Sequence, residues 1–140
     1  MHRDENVRRI RSGVVRLSRR LRAERPADAL APTKIGVLAE LWRNGRMSAG
    51  DLADLQRVQP QSLTRTLASL EADGLIARRP DELDRRQQVI GITEAGLTAL
   101  SEDMQARERW LAKAMDIHLT PAERQLLADA AELMDRLADD

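Results

Sequence analysis

Residues 60–76 read PQSLTRTLASLEADGLI. Leu63, Leu67 and Leu70 recur at the three- and four-residue steps that place them on one side of an α-helix, so one face is committed to a core. Pro60 suits the first helical turn, where its missing N–H costs nothing. Gly74 suits the position just past the last turn, where a left-handed backbone ends the helix. Spacing and punctuation together predict one short amphipathic helix over 60–73. Its other face carries Gln61, Ser62, Thr64 and Arg65, side chains able to donate to phosphates or read base edges, with acidic residues held back to Glu71 and Asp73. Taken alone, the pattern fits an ordinary solvated face better than a recognition surface. The flanking residues reverse that order.

Immediately upstream, Met47-Ser48-Ala49-Gly50-Asp51 opens another short helix, with Ser48 as N-cap and Asp51 three residues on, close to a capping box. Leu52, Ala53 and Leu55 are expected on its buried side, and Gln56-Arg57-Val58-Gln59 makes a tight connection into the next helix. Helix, brief turn, helix is the helix-turn-helix arrangement, in which the first helix braces the second across a DNA groove. Downstream, the period changes: residues 75–79 and 87–92 read as two short strands around the polar loop 80–86. That is a β-hairpin wing. Arginine at the tip of such a wing can enter the minor groove, whose negative potential attracts it. An ordinary charged hairpin tip is the alternative, and the preceding helix-turn-helix disfavours it.

Further out, Val7, Ile10, Val14, Leu17 and Leu21 alternate steps of three and four over residues 4–23. This narrow heptad seam is typical of a helix zipped against another helix. The arginines between the seam positions could face phosphates, but solvated or salt-bridging roles are the simpler reading. Pro26 ends that helix, and a second is expected over residues 33–44, stopped by Gly45, with Ile35, Leu38, Leu41 and Trp42 on its core face. In the last third, Thr93 caps a long helix to about residue 117, with Leu97, Leu100, Met104, Leu111 and Met115 inward. Thr120-Pro121-Ala122-Glu123 is a capping box for a final helix striped by Leu126, Leu127, Ala130, Leu133, Met134 and Leu137. The methionines read as core fillers rather than as a ligand pocket.

A chain of 140 residues, 42% hydrophobic and 33% charged, can bury a real core and remain ordered. Without Phe or Tyr, that core is built from aliphatic residues, a mixture that favours packed helices. The net charge of zero hides an uneven distribution. Residues 1–25 hold nine arginines against three acids, and residues 94–140 hold eleven acids against five bases. Opposite ends of this kind are expected to lie beside each other, within or between chains. The absence of cysteine excludes thiol catalysis, thiol redox sensing, disulfides and cysteine metal sites. His2 and His118 have no neighbouring nucleophile or second histidine, and no glycine-rich phosphate loop occurs, so an enzyme is not expected and no cofactor or metal is implied. No apolar run spans a membrane and no signal segment is seen, so a cytoplasmic protein is expected.

In order along residues 52–100 stand Leu52-Ala53, Val58, Pro60, Leu63-Thr64-Arg65, Leu70-Glu71, Gly74-Leu75-Ile76, Arg78, Asp84-Arg85-Arg86 and Ile92-Thr93-Glu94-Ala95-Gly96. This string resembles the MarR family of bacterial transcription regulators, closely over about a third of the chain and in helix number and placement over nearly all of it. The pair of blocks Leu-Thr-Arg and Asp-x-Arg at this separation is its most specific element. The expected fold class is mostly α (α+β), a winged helix-turn-helix with N- and C-terminal dimerisation helices. It reads as one domain over 1–140, with the DNA-binding lobe at 33–92 and the helical dimerisation region at 1–25 and 93–140.

The resemblance implies an obligate homodimer that binds pseudo-palindromic double-stranded DNA, in a family whose members often respond to small aromatic or anionic ligands. A repressor is the expectation, with activation and the absence of any ligand as the alternatives the sequence leaves open. Carried over by motif, Gln61, Ser62, Thr64 and Arg65 would meet the major groove and its phosphates. The wing residues Asp84, Arg85 and Arg86 would serve the minor groove, with Arg86 entering it and Asp84 orienting Arg86. Glu82 departs from the family's frequent proline and adds negative charge to the wing. Arg57 stands where glycine is frequent, so the turn is expected either to differ or to present Arg57 to a phosphate. Any ligand control would be non-covalent, since no thiol is available. The competing reading is a winged helix used only for protein contacts. The basic side chains on helix and wing together argue against it, and a steep loss of DNA affinity with salt would separate the two.

Overall fold

The computed structural model describes residues 2–140, with six helices and three strands in the order α1 (His2–Ala23), α2 (Pro32–Asn44), β1 (Met47–Ser48), α3 (Ala49–Gln56), α4 (Pro60–Ala72), β2 (Ile76–Pro80), β3 (Gln88–Ile92), α5 (Glu94–His118) and α6 (Pro121–Ala138). The fold is mostly α with one small antiparallel sheet, and helix, short helix, recognition helix and wing follow as the sequence predicts. The chain divides into two compact units, Pro26–Gln105 and the combination of Met1–Arg25 with Ala106–Asp140.

In Pro26–Gln105 the core is aliphatic, with Leu38, Leu41, Leu52, Leu67, Leu70 and Ile90 almost wholly enclosed. The Leu63, Leu67, Leu70 stripe of α4 supplies three of the core residues, and α2 supplies Ile35, Val37, Leu38 and Leu41. Burial of each such side chain stabilises by about 1.5–3 kcal/mol, which commits the inner face of α4 and leaves the outer one free. The sheet has strand order β1-β3-β2. Met47 and Ser48 pair with Ile90 and Val89, so the segment expected only to open α3 is also the third strand of the wing. Two residues are too few for a period to register in the sequence. Ser48 serves both roles: its extended backbone (φ −73°, ψ 159°) belongs to the strand while its hydroxyl accepts the Asp51 N–H at 3.1 Å.

Three side chains expected inside are not. Trp42 is 61% exposed and Leu55 51% exposed. Leu97, placed on the inner side of α5, is also exposed. The physical reason for Trp42 is that Val37 and Leu41 carry the buried side of α2 onward from Leu38, rotating the helix so that position 42 leaves the core. On α3, Leu52 and Ala53 are adjacent and already fill the contact with α2, which a side-chain bond from Gln56 Nε2 to the Gly36 carbonyl reinforces at 3.3 Å.

The join from wing to α5 is a close approach. Thr93 donates its N–H to the Leu75 carbonyl (3.1 Å) and its hydroxyl to the Gly74 carbonyl (2.6 Å), and its oxygen accepts the Gly96 N–H (3.1 Å). Thr93 therefore caps α5 and bonds it to the turn that follows α4. Gly96 is required for that approach, because a Cβ there would sit 2.2 Å from the Leu75 carbonyl oxygen and 2.7 Å from Ile92 Cγ1.

The other unit holds α1, the second part of α5, and α6. Arg20 lies over the Trp110 ring at 4.5 Å from its centroid and also pairs with Glu24. The capping box before α6 is complete: Glu123 N–H to Thr120 Oγ1 at 3.2 Å, and Thr120 N–H to Glu123 Oε1 at 2.9 Å. Those bonds to the Thr120 backbone and side chain hold the Glu123 carboxyl below the usual carboxylate range, so its contribution is present above the ordinary pKa and fades as pH falls through the lowered one. Neither α1 nor α6 has a buried residue, and the seam residues Val7 and Ile10 and the stripe residues Leu126 and Leu137 are exposed in the isolated chain.

Replacing Gly96 by alanine should overpack the join and lower the unfolding free energy by about 1–3 kcal/mol, read from the shift in urea midpoint at unchanged slope. A midpoint within error of the wild type would show that α5 can retreat from Leu75 at no cost.

Candidate nucleic-acid interface

The connection between α3 and α4 fixes how the second helix is offered. Arg57 adopts a left-handed backbone (φ 51°, ψ 42°) and is the only non-glycine residue with positive φ among those described. Its N–H reaches the Asp54 carbonyl at 3.3 Å, and the Val58 N–H reaches the Ala53 carbonyl at 3.3 Å. This pair of bonds is a Schellman ending. The same ending closes α4, where Gly74 (φ 74°) donates to the Glu71 carbonyl at 3.0 Å and Leu75 to the Leu70 carbonyl at 2.9 Å. Arginine thus occupies a geometry that glycine accepts freely. The turn keeps its shape, and the Arg57 side chain is exposed.

The N-terminus of α4 has no side-chain cap and no acidic residue in its first turn. Pro60 removes one donor, so the exposed N–H groups of Gln61 and Ser62 remain at the positive end of the helix dipole, where an anion is favoured. Gln61, Ser62, Thr64 and Arg65 are all exposed, as their positions between the buried leucines require. The Thr64 hydroxyl donates to the Pro60 carbonyl at 2.8 Å. Its lone pairs remain open as acceptors.

At the other end of the lobe, Asp84, Arg85 and Arg86 are exposed in the loop between β2 and β3. The loop is held by its own bonds. Asp81 N–H meets the Gln87 carbonyl at 2.8 Å, Gln87 N–H meets the Asp84 carbonyl at 3.0 Å, and Asp81 Oδ1 accepts the Leu83 N–H at 3.1 Å. Asp84 Oδ1 accepts the backbone N–H of Arg86 at 3.1 Å. The aspartate therefore acts on the Arg86 main chain, leaving the guanidinium free. Sequence reasoning coupled the two residues but could not give the atom through which they couple. It also left Glu71 and Arg78 without a role. Arg78 Nε donates to Glu71 Oε2 at 3.0 Å, which ties the wing strand β2 to the last turn of α4.

Residues 30–87 match the family model described as MarR family. An uncharacterized HTH-type transcriptional regulator of Mycobacterium bovis is 37% identical over 127 residues, covering 91% of this chain and 88% of that protein. The chain belongs to the MarR family. Its fold matches the crystal structure of a transcriptional regulator protein from Pseudomonas aeruginosa with a TM-score of 0.84 and 32% identity, covering 100% of this chain and 98% of that one. A MepR mutant of Staphylococcus aureus bound to an oligodeoxyribonucleotide shares the fold at a TM-score of 0.65 and 17% identity, covering 94% and 97% of the two chains. As a MarR-family protein, this chain is a helix-turn-helix, DNA-binding transcriptional regulator and not an enzyme. No helix among the described residues is long and apolar enough to cross a membrane.

Arg57 carries a measurable consequence. A non-glycine residue in the left-handed region costs about 1–2 kcal/mol, and glycine returns part of that as extra unfolded-chain entropy, so Arg57→Gly should raise stability by about 0.5–1 kcal/mol. Arg57→Val should lower it. Equal unfolding midpoints for all three proteins would mean that the turn is not strained.

Proposed function

We propose that the protein is a cytoplasmic repressor that binds a pseudo-palindromic operator as a homodimer, each copy reading the major groove with α4 and the flanking minor groove with its wing. The observation that carries this reading is the pairing of an uncapped, acid-free helix N-terminus displaying Gln61, Ser62, Thr64 and Arg65 with a braced wing loop displaying Arg85 and Arg86. In this reading Gln61, Thr64 and Arg65 meet base edges, Ser62 and the first-turn N–H groups meet phosphates, and Arg86 enters the minor groove. The DNA-bound MepR mutant lends the same fold to the same task.

The dimer follows from surface chemistry. Two long helices without one buried residue, α1 and α6, display apolar stripes of the kind that exists to be covered, and their opposite charge suits them to each other across a two-fold axis. Two recognition helices about 34 Å apart would then enter successive major grooves. A dimer so seated blocks that stretch to other proteins, the simplest route from binding to repression. A small non-covalent ligand fits this reading as a releasing signal. A cleft of about 150 Å³ lined by Pro26, Leu30, Ile35 and Ala99 is one place for it, and the carboxylates of Asp28, Glu102 and Asp103 in the same lining disfavour the anionic of the two ligand kinds, aromatic or anionic, that the family resemblance implies.

Selection from a random duplex pool tests the reading as a whole. Two inverted half-sites centred about one helical turn apart are expected. On the selected duplex, alanine at Gln61, Thr64 or Arg65 should cost about 1–3 kcal/mol where a base is read, with the melting temperature unchanged because none of them touches the core. Recovery of no sequence preference, or wild-type binding by all three variants, would remove α4 as the reading element.

The wing is tested separately. If Asp84 works by accepting the Arg86 N–H, then Asp84→Ala should weaken binding although it removes a negative charge from a DNA-facing loop. Asp84→Asn, whose amide oxygen still accepts, should bind as well as or better than the wild type. Adding Asp84→Ala to Arg86→Ala should cost little more than Arg86→Ala alone. Tighter binding by Asp84→Ala would show plain electrostatics in command of the loop.

A further inference from the structure

Pro26–Gln105 contains twelve acidic residues and only nine basic ones, so a lobe that binds a polyanion has to concentrate its positive charge locally. Of those nine, Arg65, Arg85 and Arg86 stand on the reading helix and the wing loop, and Arg78 is paired with Glu71. Two more lie on the outer face of the sheet. Ile76 and Ile90 are buried, which makes their side of the sheet the inner one, and strand alternation then turns Ala77, Arg79, Val89 and Gly91 outward. Continuing the β1–β3 register by one residue sets Arg46 opposite Gly91. Contact agrees with this, since a Cβ on Gly91 would lie 3.2 Å from Arg46 Cγ.

The face is therefore a shallow trough. Gly91 and Ala77 lie side by side at the centre of its floor with no side chain taller than a methyl, Val89, Ile92 and Thr93 complete the lining, and its edges carry Arg46 on the β1 side and Arg79 on β2. A cavity of about 260 Å³ lies over this floor, and no carboxylate lines it. Both arginines are exposed, and among the described residues neither guanidinium has an ion-pair partner. From strand spacing and rise, their Cα atoms are roughly 12 Å apart, within the span that two extended arginines close onto one phosphate or two successive ones. Arg79 is paired with Val89, two residues from the wing loop, so the trough is continuous with the loop that carries Arg85 and Arg86.

We propose that this outer sheet face is a second DNA-contacting surface, in which Arg46 and Arg79 hold backbone phosphates of the strand bordering the groove entered by the wing. The proposal rests on the DNA reading given above. A flat ribbon with arginine on its tip and on its outer face would be gripped from two directions, its tip in the groove and its face on the groove wall. The small residues of the floor are what let a sugar–phosphate chain come close. Phosphate contacts carry no sequence information, so this face adds affinity and salt dependence without changing which bases are preferred.

The test uses the full chain and the duplex recovered by selection, with a mixed-sequence duplex of equal length beside it. Affinity is measured from 50 to 200 mM salt for the wild type, Arg46→Gln, Arg79→Gln, the double variant and Arg65→Ala. Each sheet substitution should lower the slope of log affinity against log salt by about 1, so that the wild type loses about tenfold more affinity than the double variant over that range. Base preference and melting temperature should not move. If Arg65→Ala weakens binding while the sheet variants keep the wild-type slope, the sheet assignment is wrong and the reading by α4 stands. If no variant alters binding, both are wrong. Inorganic phosphate titrated against the Gly91 amide resonance is the remaining arm. A shift that needs Arg46 and Arg79, together with unchanged salt slopes on DNA, would make this a seat for a free anion and overturn the DNA assignment.

Discussion

The bonds gathered at Thr93 are what the lobe depends on. One side chain caps α5, accepts the Gly96 N–H and donates to the Gly74 carbonyl, while its own N–H is taken by Leu75. Gly74 and Leu75 are also the residues that end α4. The end of the recognition helix, the start of the wing and the start of the long helix are thereby fixed to one another by hydrogen bonds at a single crossing, and Gly96 removes the atom that would hold them apart. For α4 to read base edges, as proposed, it must be placed to within a fraction of an ångström, and backbone bonds to a rigid turn do this better than long side chains can.

From that crossing the wing is braced twice more. β1 joins it to the N-cap of α3, and the Arg78–Glu71 pair joins it to α4. An ion pair this exposed contributes little to stability, typically below about 1 kcal/mol, and its value here is one of orientation. The wing loop itself is held by its two aspartates, each accepting a main-chain N–H two residues on. Acidic residues in a loop proposed to meet DNA look unfavourable by charge alone. Here Asp81 and Asp84 direct their oxygens at the backbone of the loop, so the negative charge shapes the turn that presents the arginines.

The charge pattern of the molecule has the same logic. Net charge is zero for the whole chain, and acids outnumber bases in Pro26–Gln105. Attraction to DNA in such a protein cannot come from a general basic field. In the proposed reading it comes from placement: bare N–H groups at the start of α4, wing-loop guanidiniums without acidic partners among the described residues, and loop carboxylates turned to their own backbone. On the same reading, local placement also limits non-specific sticking, because the acids that outnumber bases over the rest of the lobe disfavour a polyanion there.

Much of this was legible in the sequence because it is local. The Leu63, Leu67, Leu70 period, Pro60 and Gly74 at the ends of α4, the Thr120 capping box and the change of period at the wing are each written within a few residues, and the structure bears them out. Which side of α4 faced solvent was settled by the same leucines. What the sequence could not settle were contacts between distant residues. The burial of Trp42 and Leu55 was misjudged because a helical stripe says which residues share a face, whereas the width of the neighbouring elements decides how far round the helix that face extends. β1 was missed because a two-residue strand exists only through its partner β3. The oxygen of Asp84 that acts on Arg86, the trough flanked by Arg46 and Arg79, and the close approach that makes Gly96 necessary all depend on how strands and helices meet after folding. The sequence by itself determined the six helices, the two hairpin strands and the family to which they belong; the tertiary structure alone decided the short third strand and which side chains remain without partners, since both depend on packing between residues far apart in the chain.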